Sequence, residues 1–160
     1  MSPEFTSAAE GDYLPMTKAP YAGDVTPEAA WKALKNNSKA VLVDVRTVAE
    51  WNFVGIPDLE PIGRKPVTIE WQFFPSGSPN PAFQPSLERT LEALGADRDA
   101  PVYFLCRSGG RSAAAAAAMT RAGFSQCFNV TGGFEGPRDE SGHRGTIEGW
   151  KASGLPWSQP

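Results

Sequence analysis

The sequence has little cysteine and histidine, no long apolar run and no large excess of charge of either sign. Its two cysteines, Cys106 and Cys127, are too few for a disulfide framework and favour a reducing, cytoplasmic setting. The single histidine, His143, has no cluster of ligand residues around it, so we expect no metal site, and no cofactor is expected either.

The missing features also limit the partners of the protein. No apolar segment approaches the length of a membrane span, and residues 1–11 lack the apolar stretch of a secretory signal. A net charge of -3 gives no reason to expect nucleic acid or a membrane as a partner. The positive charges that the chain does carry near Cys106 are therefore local, which suits a small anionic substrate.

The length and composition predict one globular domain. A chain of 160 residues with 41% hydrophobic residues is sufficient for a single domain with a substantial core. Residues 1–20 are polar, contain prolines and show no periodicity, so we predict a flexible tail, and its opening residues 1–5 resemble a cloning remnant. Residues 21–160 then form the domain.

Short apolar runs alternate with helical patterns along this domain. The runs predict strands at residues 40–45, 66–71, 101–105 and 126–130. Capping residues and apolar spacing predict helices that begin near residues 26, 47, 85, 113 and 147. The last of these is expected to span residues 147–152 and to carry Trp150. The alternation predicts an α/β fold with a parallel sheet and helices on both faces.

The most informative segment is the loop that follows the strand at residues 101–105. Cys106 lies where this strand ends, and an alanine-rich helix begins shortly after it. Gly109 and Gly110 permit backbone angles at which successive N–H groups of the loop form an anion-binding nest. The helix N-terminus adds further free N–H groups. Arg107 and Arg111 add full positive charges, and together these features favour the reactive thiolate of Cys106.

Other residues have plainer interpretations. Cys106 as a small buried hydrophobe is the inert alternative, but the charges, glycines and helix start all converge on its thiol. Asp44 and Arg46 follow a buried strand, and we interpret them as a structural ion pair. Cys127 lies within a predicted strand and is interpreted as a packing residue, with a redox role the weaker alternative.

The chain resembles a rhodanese-family sulfurtransferase over roughly residues 21–157. The matching segments are residues 43–46, 104–112 and 129–134, together with Trp150 and residues 154–157. The resemblance implies a single-domain rhodanese-like fold with a central parallel sheet of about five strands flanked by helices on both faces. Residues 54–59 depart from the family pattern, because the usual Gly-His-Ile sequence is replaced by one that contains no histidine.

The resemblance also implies a reaction. Cys106 would take sulfane sulfur from an anionic donor such as thiosulfate, and its persulfide would pass that sulfur to cyanide, to a thiol or to a protein acceptor. Asp44 and Arg46 would support the site. The residues expected to bind the substrate and the persulfide are Arg107, Ser108, Gly109, Gly110, Arg111 and Ser112.

Two alternatives belong to other functional classes. A cysteine-based phosphatase or arsenate reductase uses a similar loop, but that loop has five residues between the cysteine and the arginine, and here four residues separate Cys106 from Arg111. A non-enzymatic interaction module is the second alternative, since rhodanese-like folds also serve that purpose. The intact cysteine loop counts against it, whereas a sulfur-relay role would use the same chemistry.

Two long loops complete the chain. Residues 72–84 form a proline-rich excursion in which Phe73, Phe74 and Phe83 either line a substrate mouth or, as we favour, anchor the loop on the core. Residues 135–145 form a polar loop that contains His143.

Overall fold

The structure is a computed structural model, and it describes residues 19–160. The predicted tail therefore lies outside the described residues, apart from its last two positions. A five-stranded parallel sheet forms the centre of the described domain, with the strand order β1-β6-β5-β2-β4. The strands are β1 (Gly23–Val25), β2 (Val41–Asp44), β4 (Val67–Thr68), β5 (Val102–Leu105) and β6 (Cys127–Val130).

Helices cover both faces of this sheet. They are α1 (Pro27–Asn36), α2 (Val48–Phe53), α3 (Phe83–Ala93) and α4 (Gly110–Arg121). Successive strand residues point to opposite faces, so Leu42 packs in one buried cluster with α1, whereas Val41 and Val43 pack in a second cluster with α3 and α4. The α/β class, the parallel five-stranded sheet and the two covered faces that the sequence predicts are therefore confirmed.

The central strands and the alanine-rich helix explain this arrangement. All four residues of β2 and all four of β5 are buried, as expected for parallel strands covered on both faces. Ala115 and Ala116 of α4 are fully buried in the cluster that α4 shares with the sheet. Their small side chains allow α4 to pack closely on β5 and β6.

Several elements differ from the sequence predictions. The strand predicted at residues 66–71 is reduced to β4, and β1 was not predicted because three residues give too little pattern. Leu94 has the helical spacing of Leu87 and Leu91, which predicts a shared apolar face, but it follows the end of α3 and is exposed, whereas the other two are buried. A two-stranded antiparallel sheet joins β3 (Ile56–Pro57) to β7 (Trp157–Ser158), where the sequence indicated only loops.

The helix predicted at residues 147–152 is wrong, because this segment forms turns. Its backbone bonds to the loop that follows β6: the Trp150 N–H donates to the Gly133 carbonyl at 2.8 Å, and the Lys151 N–H donates to the Phe134 carbonyl at 3.2 Å. The indole N–H of the fully buried Trp150 donates to the Pro156 carbonyl at 2.7 Å. The two long-range bonds to Gly133 and Phe134 take the backbone N–H groups that a helix would pair within the segment.

No helix within residues 19–160 combines the length and the apolar character that crossing a bilayer requires.

Candidate active site

Cys106 lies directly after β5, at the carboxyl edge of the parallel sheet, where ligands bind in open α/β folds. Its side chain is almost completely buried, and part of its surroundings is the apolar cluster beneath α4. The sulfur also has polar neighbours: the Gly109 N–H donates to Sγ at 3.1 Å, and Ser112 Oγ lies 3.1 Å from Sγ. Gly109 has a φ of 119°, a conformation that glycine adopts without strain.

The first turn of α4 provides free amides beside this sulfur. The N–H groups of Gly110, Arg111 and Ser112 have no hydrogen-bond acceptor among the described residues. Unpaired N–H groups at a helix N-terminus form an anion-binding site, and the helix dipole adds to their positive potential. The loop therefore presents amide donors and a thiol at one edge of the sheet.

The two loop arginines have different environments. Arg107 is exposed and makes no ion pair within the part of the chain that the structure describes. Arg111 donates from Nη1 to Glu50 Oε1 at 2.7 Å and from Nη2 to Glu50 Oε2 at 2.9 Å. The hydrogen bond to Glu50 is the main reason that the pKa of Arg111 is raised. Arg107 is thus the loop cation whose charge is available to a substrate, whereas that of Arg111 is largely balanced.

Glu50 has two structural roles. It completes the capping box of α2, because its carboxylate accepts the Thr47 backbone N–H at 3.0 Å while its own N–H donates to the Thr47 hydroxyl. It also accepts both bonds from Arg111. Burial alone would raise the pKa of Glu50, but the bonds from Arg111 and Thr47 outweigh it and lower the pKa to about 2.

A depressed carboxylate pKa predicts a specific pH dependence of stability. The Glu50 contribution is fully present above its ordinary value of 4.5 and is lost as the pH falls towards about 2. The shift sets an upper limit of about 3 kcal/mol at neutral pH, and because solvent reaches part of the Glu50 side chain, Glu50→Gln should lower the free energy of unfolding at pH 7 by about 1–2 kcal/mol. Urea unfolding between neutral and acidic pH measures this difference, which should shrink as the pH falls. Glu92→Gln, at an exposed position on α3, is the matched control, and an equal effect of both variants would contradict the prediction.

Asp44 and Arg46 form a completely buried ion pair beneath the loop. Arg46 Nη2 lies 2.6 Å from Asp44 Oδ2 and also donates to the Gly55 carbonyl at 2.8 Å, while Arg46 Nε donates to Asp44 Oδ1 at 2.9 Å. The guanidinium lies over the Phe134 ring, 4.2 Å from its centroid. The pair links the ends of β2, β3 and β6, and neither residue is exposed to a substrate.

The segment after β6 clamps the Cys106 loop. The Phe134 N–H donates to the Cys106 carbonyl at 2.8 Å, and the Glu135 and Gly136 N–H groups donate to the Arg107 carbonyl at 2.9 and 3.1 Å. Gly133 has a φ of 60°, and a Cβ atom there would lie 2.5 Å from the Cys106 carbonyl oxygen. Only glycine allows this approach, so Gly133 determines how closely the backbone of the Cys106 loop lies against the segment after β6.

Gly133→Ala should therefore lower the stability of the fold. The left-handed φ costs alanine about 1 kcal/mol and the clash adds to it, so we expect a total loss of about 3 kcal/mol in the free energy of unfolding. Gly142→Ala is the control, since Gly142 has a φ of 82° with no atom within 4 Å of its Cβ position. Denaturant unfolding compares the two variants. Equal losses of stability in the two variants would contradict the prediction, because they would mean that the positive φ alone, and not the contact with the Cys106 loop, requires glycine at position 133.

A cavity of about 580 Å³ opens beside the Cys106 loop. Four charged residues on its lining are Arg107 and Arg111 of this loop, Glu135, whose backbone N–H donates to the Arg107 carbonyl, and Arg144. The aromatic side chains on its wall are Phe53, Phe73 and Phe74. A volume of this size lies within the range of sites for organic ligands, and it exceeds what a small inorganic anion needs.

The structure places residues 106–112 together in one loop at the sheet edge. The aromatic residues, Cys127 and His143 have separate positions. Phe83 is a core anchor, with its ring centroid 4.9 Å from that of Trp71, whereas Phe73 and Phe74 line the cavity. Cys127 is buried in β6, and burial raises its pKa, which agrees with a packing role. His143 is exposed, and its backbone N–H donates to Asp139.

Three residues with central positions were missed as site residues. The sequence around Thr47 and Glu50 fits a capping box and indicates nothing more for Glu50, because its partner Arg111 lies 61 positions away. Asn129 and Gly133 belong to a segment that carried the family resemblance, but local sequence gives no sign that they face Cys106. The Gly-Gly after a strand was the one usable signal, since it marks a close backbone approach.

The five-stranded parallel sheet with helices on both faces, and the cysteine loop between β5 and α4, form a rhodanese-like fold. The chain belongs to the family described as the STR4 middle domain, whose model matches residues 22–160.

Proteins of known sequence and structure agree with this assignment. The crystal structure of Rv0390 from Mycobacterium tuberculosis is similar over 88% of this chain and 99% of that protein, with 50% identity and a TM-score of 0.77. An uncharacterized protein of Rickettsia conorii is 38% identical over 128 residues, which are 80% of this chain and 90% of that protein. The chloroplastic rhodanese-like domain-containing protein 4 of Arabidopsis thaliana is 28% identical over 82% of this chain, which spans 24% of that longer protein.

A more distant solved structure supports the fold alone. The polysulfide-sulfur transferase homodimer of Wolinella succinogenes shares 24% identity with a TM-score of 0.55, covering 89% of this chain and 82% of that one.

Proposed function

We propose that this protein is a sulfurtransferase that moves sulfane sulfur from an anionic donor to a thiophilic acceptor through a persulfide on Cys106. The observation that carries the proposal is the position of the Cys106 sulfur, which accepts the Gly109 N–H at 3.1 Å beside the unpaired amides of α4. The rhodanese-like relatives agree with sulfurtransferase-type chemistry, and the specific donor and acceptor are part of the proposal.

The first half-reaction transfers one sulfur atom. The Cys106 thiolate attacks the outer sulfur of thiosulfate, a new S–S bond forms, and the old S–S bond breaks with its electron pair on the departing sulfite. In the second half-reaction cyanide or a thiolate attacks the outer sulfur of the persulfide. The electron pair of the Cys106 S–S bond then returns to Sγ, and the product is thiocyanate or a new persulfide.

The loop binds the charges of both steps. The persulfide carries a negative charge on its outer sulfur, and the free N–H groups of Gly110, Arg111 and Ser112 are the donors that would hold it. Arg107 would bind the oxyanion end of the donor, because its guanidinium has no competing carboxylate among the described residues. Arg111 would contribute less, since Glu50 already takes two of its N–H groups.

The cavity leaves space for an organic acceptor. Thiosulfate and cyanide would fill only a small part of its 580 Å³, and Phe53, Phe73 and Phe74 give it an apolar wall. A thiol with an apolar body, free or on a protein, fits that wall better than cyanide does. Cyanide remains the convenient acceptor for an assay.

Intact mass spectrometry after incubation with thiosulfate tests the proposal. We expect the mass to rise by one sulfur atom, the modification to map to the peptide that contains Cys106, and cyanide to restore the original mass with release of thiocyanate. A protein that gains no sulfur from thiosulfate or from an organic persulfide would overturn the proposal. Phosphate release from an aryl phosphate by the same sample would support the phosphatase alternative instead.

A further inference from the structure

Five side chains form a hydrogen-bonded network from the Cys106 sulfur to the first strand. Ser112 Oγ lies 3.1 Å from the Cys106 sulfur, and the Ser112 hydroxyl donates to Asn129 Oδ1 at 2.6 Å. The Asn129 amide donates to Asp24 Oδ1 at 3.0 Å, and the Tyr21 hydroxyl donates to the same oxygen at 2.9 Å. Ser112 is fully buried and Asn129 is 6% exposed, so water does not compete freely for the bond between them, whereas Asp24 at the far end of the network is exposed.

Asp24 fixes the direction of the bonds in this network. An ionised carboxylate only accepts hydrogen bonds, so the NH₂ group of Asn129 must point towards Asp24. The carbonyl oxygen of Asn129 then necessarily points towards Ser112. A serine hydroxyl has a single hydrogen, and this oxygen receives it. Ser112 therefore presents a lone pair to the Cys106 sulfur.

A lone pair suits a protonated thiol, because the S–H group of Cys106 can donate to Ser112 Oγ. A thiolate needs donors, and Ser112 becomes one only when it gives up its 2.6 Å bond to Asn129. We infer that Asn129 is a positioning residue, which holds the Ser112 proton away from Cys106 and thereby sets the pH at which the thiol ionises. Thiol ionisation can be measured without sulfur transfer, so the inference stands or falls independently of the proposed function.

Charged groups from several elements also act on the thiol. Arg107 follows it in the chain, Arg111 on α4 is paired with Glu50 on α2, and the buried Asp44–Arg46 pair lies at the end of β2. Replacement of Asn129 removes no member of this set and only takes one donor from Asp24, at the far end of the network. The effect of the replacement therefore reports mainly on Ser112.

Alkylation of Cys106 by iodoacetamide, followed on its own peptide by mass spectrometry over a range of pH, tests the inference in the full chain. Asn129→Leu removes the acceptor of the Ser112 proton, so the midpoint of the rate profile should move to lower pH by about one unit, a tenfold change in the ionisation equilibrium. Asn129→Asp keeps an acceptor at this position, so its midpoint should not fall below that of the unsubstituted protein.

The Ser112→Ala background separates a positioning role from a structural one. If Asn129 acts through the Ser112 hydroxyl, Asn129→Leu should leave the midpoint unchanged in that background. An equal shift with and without the hydroxyl would overturn the inference, because Asn129 would then act through the shape of the loop. The absence of any shift in the single variant, or a shift to higher pH, would overturn it as well.

Discussion

Cys106→Ser should abolish sulfur transfer, with a fall in turnover of more than about a thousandfold. A serine hydroxyl occupies nearly the same space and keeps the neighbours Gly109 and Ser112, but it is far less ionised and forms no persulfide. The mass gain with thiosulfate should disappear together with thiocyanate formation. Because Ser112 Oγ already faces a polar atom here, the substitution should cost little stability.

Cys127→Ala is the matched control for this prediction. Cys127 is fully buried in β6, and burial raises its pKa, so its thiol should neither accept sulfur nor contribute to turnover. We expect this variant to lose some stability and to keep both the mass gain and the rate of thiocyanate formation. Substantial transfer by Cys106→Ser, or loss of transfer in Cys127→Ala, would contradict the assignment of Cys106 as the nucleophile.

Asp44→Asn should cause the largest loss of stability among single substitutions near the site. The change leaves the Arg46 guanidinium charged, completely buried and without its carboxylate, and breaking a buried pair in this way costs about 3–5 kcal/mol. Chemical denaturation should show this loss as a lower midpoint. The segments around Gly55 and Phe134 should also become less ordered, because Arg46 connects Asp44 to Gly55 and packs on Phe134.

The ion pair between Glu88 and Arg98 provides the comparison. Their charged groups lie 3.6 Å apart, and the Arg98 side chain is 55% exposed, so Glu88→Gln should change the free energy of unfolding by less than about 1 kcal/mol. A loss of less than about 1 kcal/mol for Asp44→Asn as well would mean that water or another group reaches Arg46, contrary to its complete burial.

The fold was largely predictable, because its signals are local. The strands β2 and β5 lie in short apolar runs that are typical of a sheet covered on both faces, and capping residues mark the starts of α1 and α2. Short pieces such as β1 and β7 contain too few residues to show a period, so they were missed. The helix predicted at residues 147–152 is absent because Trp150 and Lys151 bond to the segment after β6, and local pattern contains no information about that partner.

The residues of the site also fall into those that local sequence predicts and those that it does not. The sequence by itself determined a cysteine between a strand and a helix N-terminus, with glycines and arginines around it, because neighbouring residues stay neighbours in any fold. Only the tertiary structure decided that Glu50 takes up the charge of Arg111, that Gly133 clamps the loop and that Asn129 orients Ser112. Each of these contacts joins segments far apart in the chain, and their distances depend on how the strands are ordered in the sheet.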